Sequence, residues 1–224
     1  MALAHGDRGA ARAADEAGVA AGGADFRASM ALSRMAFDDA DWARAEKHLL
    51  TAESQFPGFP EKTLAAELLL AEVYGRTERE PEMMAARERW LAWNSDEYVL
   101  RSSSALWHAE GGRHAEAARW YEEANEIDPM SRAQHEAWGR SLLELARHAE
   151  ALREFEVALL VPPELDMEGT GAPGDAERAR LIGLRARALA GLERAEEARS
   201  AAQEALALDG DCAEARKALD ALPW

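Results

Sequence analysis

The pentapeptide Arg113-His114-Ala115-Glu116-Ala117 returns thirty-four residues later as Arg147-His148-Ala149-Glu150-Ala151. A fixed step of that size constrains the chain strongly, because a period between about 20 and 50 residues marks a stacked array of short supersecondary units. The step extends beyond the identical letters. Tyr121, Ala124, Ile127 and Pro129 are matched at the same offset by Phe155, Ala158, Val161 and Pro163, and Ala105 and Gly111 by Gly139 and Leu145. A third stretch fits the template with Ala186, Leu189, Ala198, Ala202, Ala205, Leu206 and Leu208, Gly210 replacing the closing proline. A fourth, near the start, fits with Ser33, Trp42, Ala45, Leu49, Ala52 and Pro57.

Helical periodicity explains why such a unit needs neighbours. At 100° per residue, His135, Trp138, Leu142 and Leu145 form one apolar stripe, while Ala133, Glu136, Arg140 and Glu144 form the opposite one. A second helix places Ala151, Phe155, Ala158 and Leu159 on one face, and its small residues let adjacent helices approach closely. One hairpin cannot bury such stripes alone, so units must stack and the last must end in a polar outer face. Ala213 to Leu222, with Ala215, Leu219 and Leu222 at helical spacing, reads as the closing helix. Nothing in the chain reads as a strand.

The run Trp138-Gly139, Leu142, Ala151, Phe155, Ala158-Leu159, Pro163 resembles the tetratricopeptide-repeat family. That resemblance implies an all-α, α–α superhelix, a right-handed solenoid of about five helical hairpins with a C-terminal capping helix. The expected units are 26–59, 60–97, 98–131, 132–165 and 179–212, with an insertion loop at 166–178 and a capping segment at 213–224. The second unit needs four extra residues, and its second helix, Glu82 to Trp93, lacks a clean small-residue position.

Composition fits thin helical layers. The 224 residues are 48% hydrophobic with alanine prominent, and a solenoid needs no single large core. A net charge of −16 opposes approach to a polyanion, so nucleic acid is not the expected partner. The arginine-to-lysine bias suggests a GC-rich bacterial genome. The single cysteine, Cys212, excludes an internal disulfide and a cysteine-based zinc site. The start lacks the basic region and continuous apolar run of a secretory signal, and no stretch approaches the length of a membrane span. A cytoplasmic address is expected by default.

The Ala/Gly-rich segment 1–25 reads as a flexible leader, a degenerate half-repeat, or the edge of a longer parent chain. Within the insertion, Gly169-Thr170-Gly171-Ala172-Pro173-Gly174 matches the letters of a dinucleotide fingerprint, but no strand precedes it, so a loop is the better account. His108, His114 and His148 imitate part of a zinc deaminase signature whose paired cysteines this chain lacks. No nucleophile elbow, phosphate loop or metalloprotease helix is present. The expectation is a noncatalytic protein with no cofactor and no metal.

In proteins resembling this one, first helices line a concave groove into which the residue after each small position points. By that rule the lane here is Arg34, Leu68, Leu106, Arg140 and Arg187, with Glu136 and Glu144 beside Arg140. The arginines can offer forked donors to a carboxylate or phosphate, or pair with nearby acids instead. The lysine and asparagine set of the family's carboxylate clamp is missing, so chaperone-tail binding does not carry over. A second candidate surface is aromatic, with Trp90, Trp93 and Trp107 as partner anchors or as filling for an irregular joint. The expected function is a scaffold for a peptide or partner protein. A repeat arm of a larger bacterial enzyme such as a peptidase, and a self-associating module, are the alternatives.

Overall fold

In the computed structural model the described residues are 25–166 and 172–222, together with Ala13, Ala17 and Gly18. The expected leader, apart from these few residues, and the core of the glycine-rich insertion therefore lie outside the described residues. Those described form eleven α-helices and one 3₁₀ turn, with no strand among them. The fold is all-α, of the α–α hairpin-repeat class.

The chain divides into two compact units, the first ending at Glu97 and the second beginning at Tyr98. The first holds α1 (Phe26–Asp38), α2 (Trp42–Gln55), the 3₁₀ turn Lys62–Leu64, α3 (Ala66–Arg76) and α4 (Glu80–Leu91). The second holds α5 (Tyr98–Glu110), α6 (His114–Asn125), α7 (Arg132–Glu144), α8 (His148–Leu160), α9 (Asp175–Gly191), α10 (Ala195–Leu208) and α11 (Ala213–Asp220). Within each unit every helix packs on the next, and α11 closes the second by packing on both α9 and α10.

The bends between paired helices repeat one local structure. Ala40, Glu78, Gly112, Ala146 and Glu193 all adopt left-handed φ, between 54° and 72°. At each, the following N–H reaches back five residues: Asp41 to Ala36, Arg79 to Tyr74, Arg113 to His108, Arg147 to Leu142 and Arg194 to Leu189, at 2.8–3.0 Å. This is the Schellman arrangement, which satisfies carbonyls that a helix end leaves without partners. The repeated Arg-His-Ala-Glu-Ala is thereby explained. Its arginine follows the left-handed residue, its glutamate occupies the first turn of the next helix, and its second alanine, Ala117 or Ala151, is fully buried. In the second copy Arg147 forks onto Glu150 at 2.7 and 2.6 Å, a hydrogen bond that holds the Glu150 carboxyl below its usual range.

Each unit buries its own apolar stripe. Leu32, Leu49, Leu70, Ala36, Ala45, Ala52 and Ala71 are buried in the first. Leu142, Phe155, Ile182, Leu184 and a series of alanines from α8 to α11 are buried in the second. Small residues stand where helices nearly touch. A Cβ on Gly139 would lie 2.5 Å from the Phe155 ring, and one on Gly183 would lie 2.8 Å from the backbone nitrogen of Ala215.

The left-handed residues also fix the register. The step from Gly112 to Ala146 is 34, but that from Ala40 to Glu78 is 38, and the excess falls in the connection 56–65 between α2 and α3. The position six residues before the bend is Arg34, Leu106, Arg140 and Arg187 in four hairpins, and in the second hairpin it is Glu72. Leu68, assigned by an unbroken 34-residue step, sits one turn too early and is half-buried.

Candidate partner-binding groove

In the first unit α1 and α3 border an open groove of about 1060 Å³. Phe26, Met30, Met35, Phe37, Phe56, Phe59, Leu64 and Leu69 provide its apolar lining, and Asp25, Arg27, Ser33, Arg34, Asp38 and Glu72 its polar one. One residue of the expected lane in this unit, Arg34, lines the cavity; Glu72, at the equivalent position of the second hairpin, lines it in place of the expected Leu68, which is not among its walls. Sequence reasoning missed Arg27, Met30 and the connection residues Phe56, Phe59 and Leu64. The longer step between the first two bends was the available signal.

The extra residues build the wall. Phe26 stacks on Phe59 at 5.1 Å and meets Phe56 edge-on at 5.3 Å. The indole of Trp90 donates to the Phe59 carbonyl at 2.9 Å, and the buried Glu67 carboxylate accepts the N–H of Gly58, so Gly58-Phe59 is tied to both α4 and α3. Trp90 is therefore a core brace, 1% exposed, and not an accessible anchor. Trp93 is exposed, with its Cβ against Gly58. In the second unit Trp107 is half-buried beneath the Arg113 guanidinium, 3.9 Å from the ring centroid. Within each unit, these tryptophans are thus engaged by their own neighbours in different ways.

In the second unit the expected lane is occupied by ion pairs. Glu136 accepts from Arg140 at 3.1 Å and from Arg180 at 2.9 and 2.8 Å. Glu214, delivered by α11, pairs with Arg187 at 2.8 Å, Lys217 at 3.2 Å and Arg140 at 3.6 Å. Burial works against the charge on Glu214, but the hydrogen bonds from Arg187 and Lys217 outweigh it and hold the carboxyl below its usual range. Arg140 and Arg187 therefore join α7, α9 and α11 to one another. Glu144 is exposed and takes no part in these pairs, and Leu106 presents a half-exposed side chain on α5.

The histidines have structural settings. His135 is 3% exposed, with Nδ1 2.7 Å from Glu154 and Nε2 3.0 Å from the Pro129 carbonyl. Burial lowers its proton affinity, yet these two acceptors and the nearby Asp128 charge raise it above the ordinary value. His108 is buried and accepts from Arg113 Nε at 2.9 Å. Among the described residues no three His, Cys, Asp or Glu side chains converge as a metal site would require. Cys212 is buried, its thiol 3.4 Å from the Ala179 carbonyl. No described helix is long and apolar enough to cross a membrane.

No protein-family model matches the sequence, and none of the curated proteins matches it. Solved structures do. YrrB, described as a TPR protein with an unusual peptide-binding site, superposes with a TM-score of 0.55 at 15% identity, over 92% of this chain and 98% of its own. A MamA structure from AMB-1 superposes with a TM-score of 0.54 at 18% identity, over 83% of this chain and 92% of its own. At such identities the likeness concerns the fold.

Proposed function

We propose that this chain, whose fold is that of the tetratricopeptide repeat, is a noncatalytic scaffold that docks a segment of a partner protein in the α1–α3 groove. The observation that carries this reading is the groove itself. It is large enough for several side chains and lined by phenylalanine and methionine, which adapt to apolar anchors. YrrB, a protein of similar fold, is described as having an unusual peptide-binding site, which supports a peptide as the ligand. In the second unit the lane arginines hold neighbouring helices together, which favours the first unit as the docking surface.

The test is selection of binding peptides from a displayed random library against the full chain, repeated with Met30→Glu and Leu69→Glu. Both side chains line the groove and neither is fully buried, so each variant should keep its helical circular dichroism. The enriched peptides should bind the parent and lose at least tenfold in affinity on either variant, the order expected for a charge placed among apolar contacts. Peptides that bind the parent and both variants equally would place docking elsewhere.

A further inference from the structure

The charges around the groove are unequally engaged. Of its three carboxylates, Asp25 caps α1 by accepting the Ala28 N–H at 2.7 Å, Glu72 pairs with Arg76 at 3.4 Å, and Asp38 also has a partner. Neither arginine, Arg27 nor Arg34, makes a hydrogen bond or ion pair among the described residues. Elsewhere in the same unit arginines do meet carboxylates, as Arg89 meets Glu53 at 2.6 Å and Arg79 meets Glu46 at 2.8 Å. In a chain of net charge −16, two guanidinium groups without a partner among the described residues thus flank an apolar cavity whose acids each already have one.

Their spacing is informative. Arg27, Met30, Arg34 and Phe37 follow one another at intervals of three and four residues, so they share one stripe of α1 and all line the groove. Arg27 and Arg34 are two turns apart, about 10 Å along the helix axis. An extended peptide in polyproline II conformation returns a side chain to the same side every three residues, advancing about 9 Å. Two acidic side chains at positions i and i+3 of such a segment match the two arginines.

On the reading that the groove docks a partner segment, we propose that the segment is acidic and apolar together: two carboxylate side chains three residues apart, with large apolar residues between. Arg27 and Arg34 take the carboxylates and Phe26, Met30, Phe37 and Phe59 take the apolar side chains. Guanidinium–carboxylate pairs at this edge set which segment is chosen, and the apolar contacts supply most of the affinity.

The test uses the full chain and three fluorescein-labelled peptides with a shared Glu-Leu-Phe-Glu, Gln-Leu-Phe-Gln or Lys-Leu-Phe-Lys core, read by fluorescence anisotropy at low salt. The Glu peptide should bind roughly tenfold tighter than the Gln peptide, since two partly solvated pairs are each worth a few-fold. In Arg27→Gln/Arg34→Gln that preference should vanish, and Arg34→Glu should turn the preference toward the Lys peptide. Equal binding of the Glu and Gln peptides to the parent overturns the charge assignment and leaves the groove reading standing. No binding of any peptide, with or without the substitutions, removes the groove reading and this inference with it. Displacement of the Glu peptide by decanoate at lower concentration than by unlabelled peptide assigns the groove to a fatty acid and overturns the proposal as well.

Discussion

Alanine in place of glycine within a helix ordinarily stabilises a protein by about 0.5–1 kcal/mol, because glycine loses more backbone freedom on folding. Gly183→Ala should do the opposite. Gly183 lies in α9, and a Cβ there would stand 2.8 Å from the Ala215 nitrogen, 3.0 Å from Glu214 Cβ and 3.1 Å from Cys212 Sγ. The first of these is backbone, so no rotamer change relieves it; α11 has to move. Overpacking of this kind costs about 1–3 kcal/mol. Set against the propensity gain, the expected net loss is about 1–2 kcal/mol. The displacement also strains the Glu214 pairs to Arg187 and Arg140, which depend on the same helix. Gly75→Ala in α3 is the control, because its nearest new neighbour is the flexible Met83 thioether at 3.4 Å. That variant should gain up to about 1 kcal/mol. Urea melts followed by circular dichroism should separate the two by sign. A Gly183→Ala protein as stable as the parent would refute the close approach of α9 and α11.

Two further outcomes concern turns and titration. Ala146→Gly places glycine at a left-handed position, φ 55°, and should stabilise the second unit by about 1 kcal/mol, read as a higher urea midpoint with unchanged slope. His135, whose proton affinity is raised on folding by Glu154 and the Pro129 carbonyl against the opposing effect of burial, contributes stability that is complete below its unfolded value of 6.5 and lost as pH rises through the higher folded value. The parent should therefore lose stability relative to His135→Gln as pH rises from about 6 to 8. An unchanged difference between the two across that range would show that His135 is not charged in the fold.

Local chemistry made most of the helical framework readable. The bend recurs because a left-handed residue, a back-reaching N–H and a buried alanine all depend on residues within one hairpin, and the sequence displays them at fixed offsets. That is why the lane positions Arg34, Leu106, Arg140 and Arg187 fall in register in the structure. Leu68 falls out of register because the four extra residues lie before α3, in the connection 56–65, which carries no helical periodicity to mark them. Distant partners were not readable in the same way. Glu214 reaches Arg140 across 74 positions of chain, and nothing near Arg140 announces it. The groove wall depends on Trp90 meeting the Phe59 carbonyl, a contact between a helix and an irregular segment that no periodicity encodes. Of the aromatic residues, Trp90 fills the irregular joint, the second of the two expected roles, while Trp93 is exposed.

Four of the five bends carry a side chain, Ala40, Glu78, Ala146 and Glu193, in a conformation that only glycine adopts without strain. Each such bend is held open by the helices it joins, which gain more by packing together than the bend residue loses. The smallest self-sufficient piece of this chain is consequently larger than one repeat. A hairpin removed from its neighbours keeps its letters but loses the surface that compels it to turn, so insertions and exchanges in this protein are best made between hairpins, with each bend left beside the helices that enforce it.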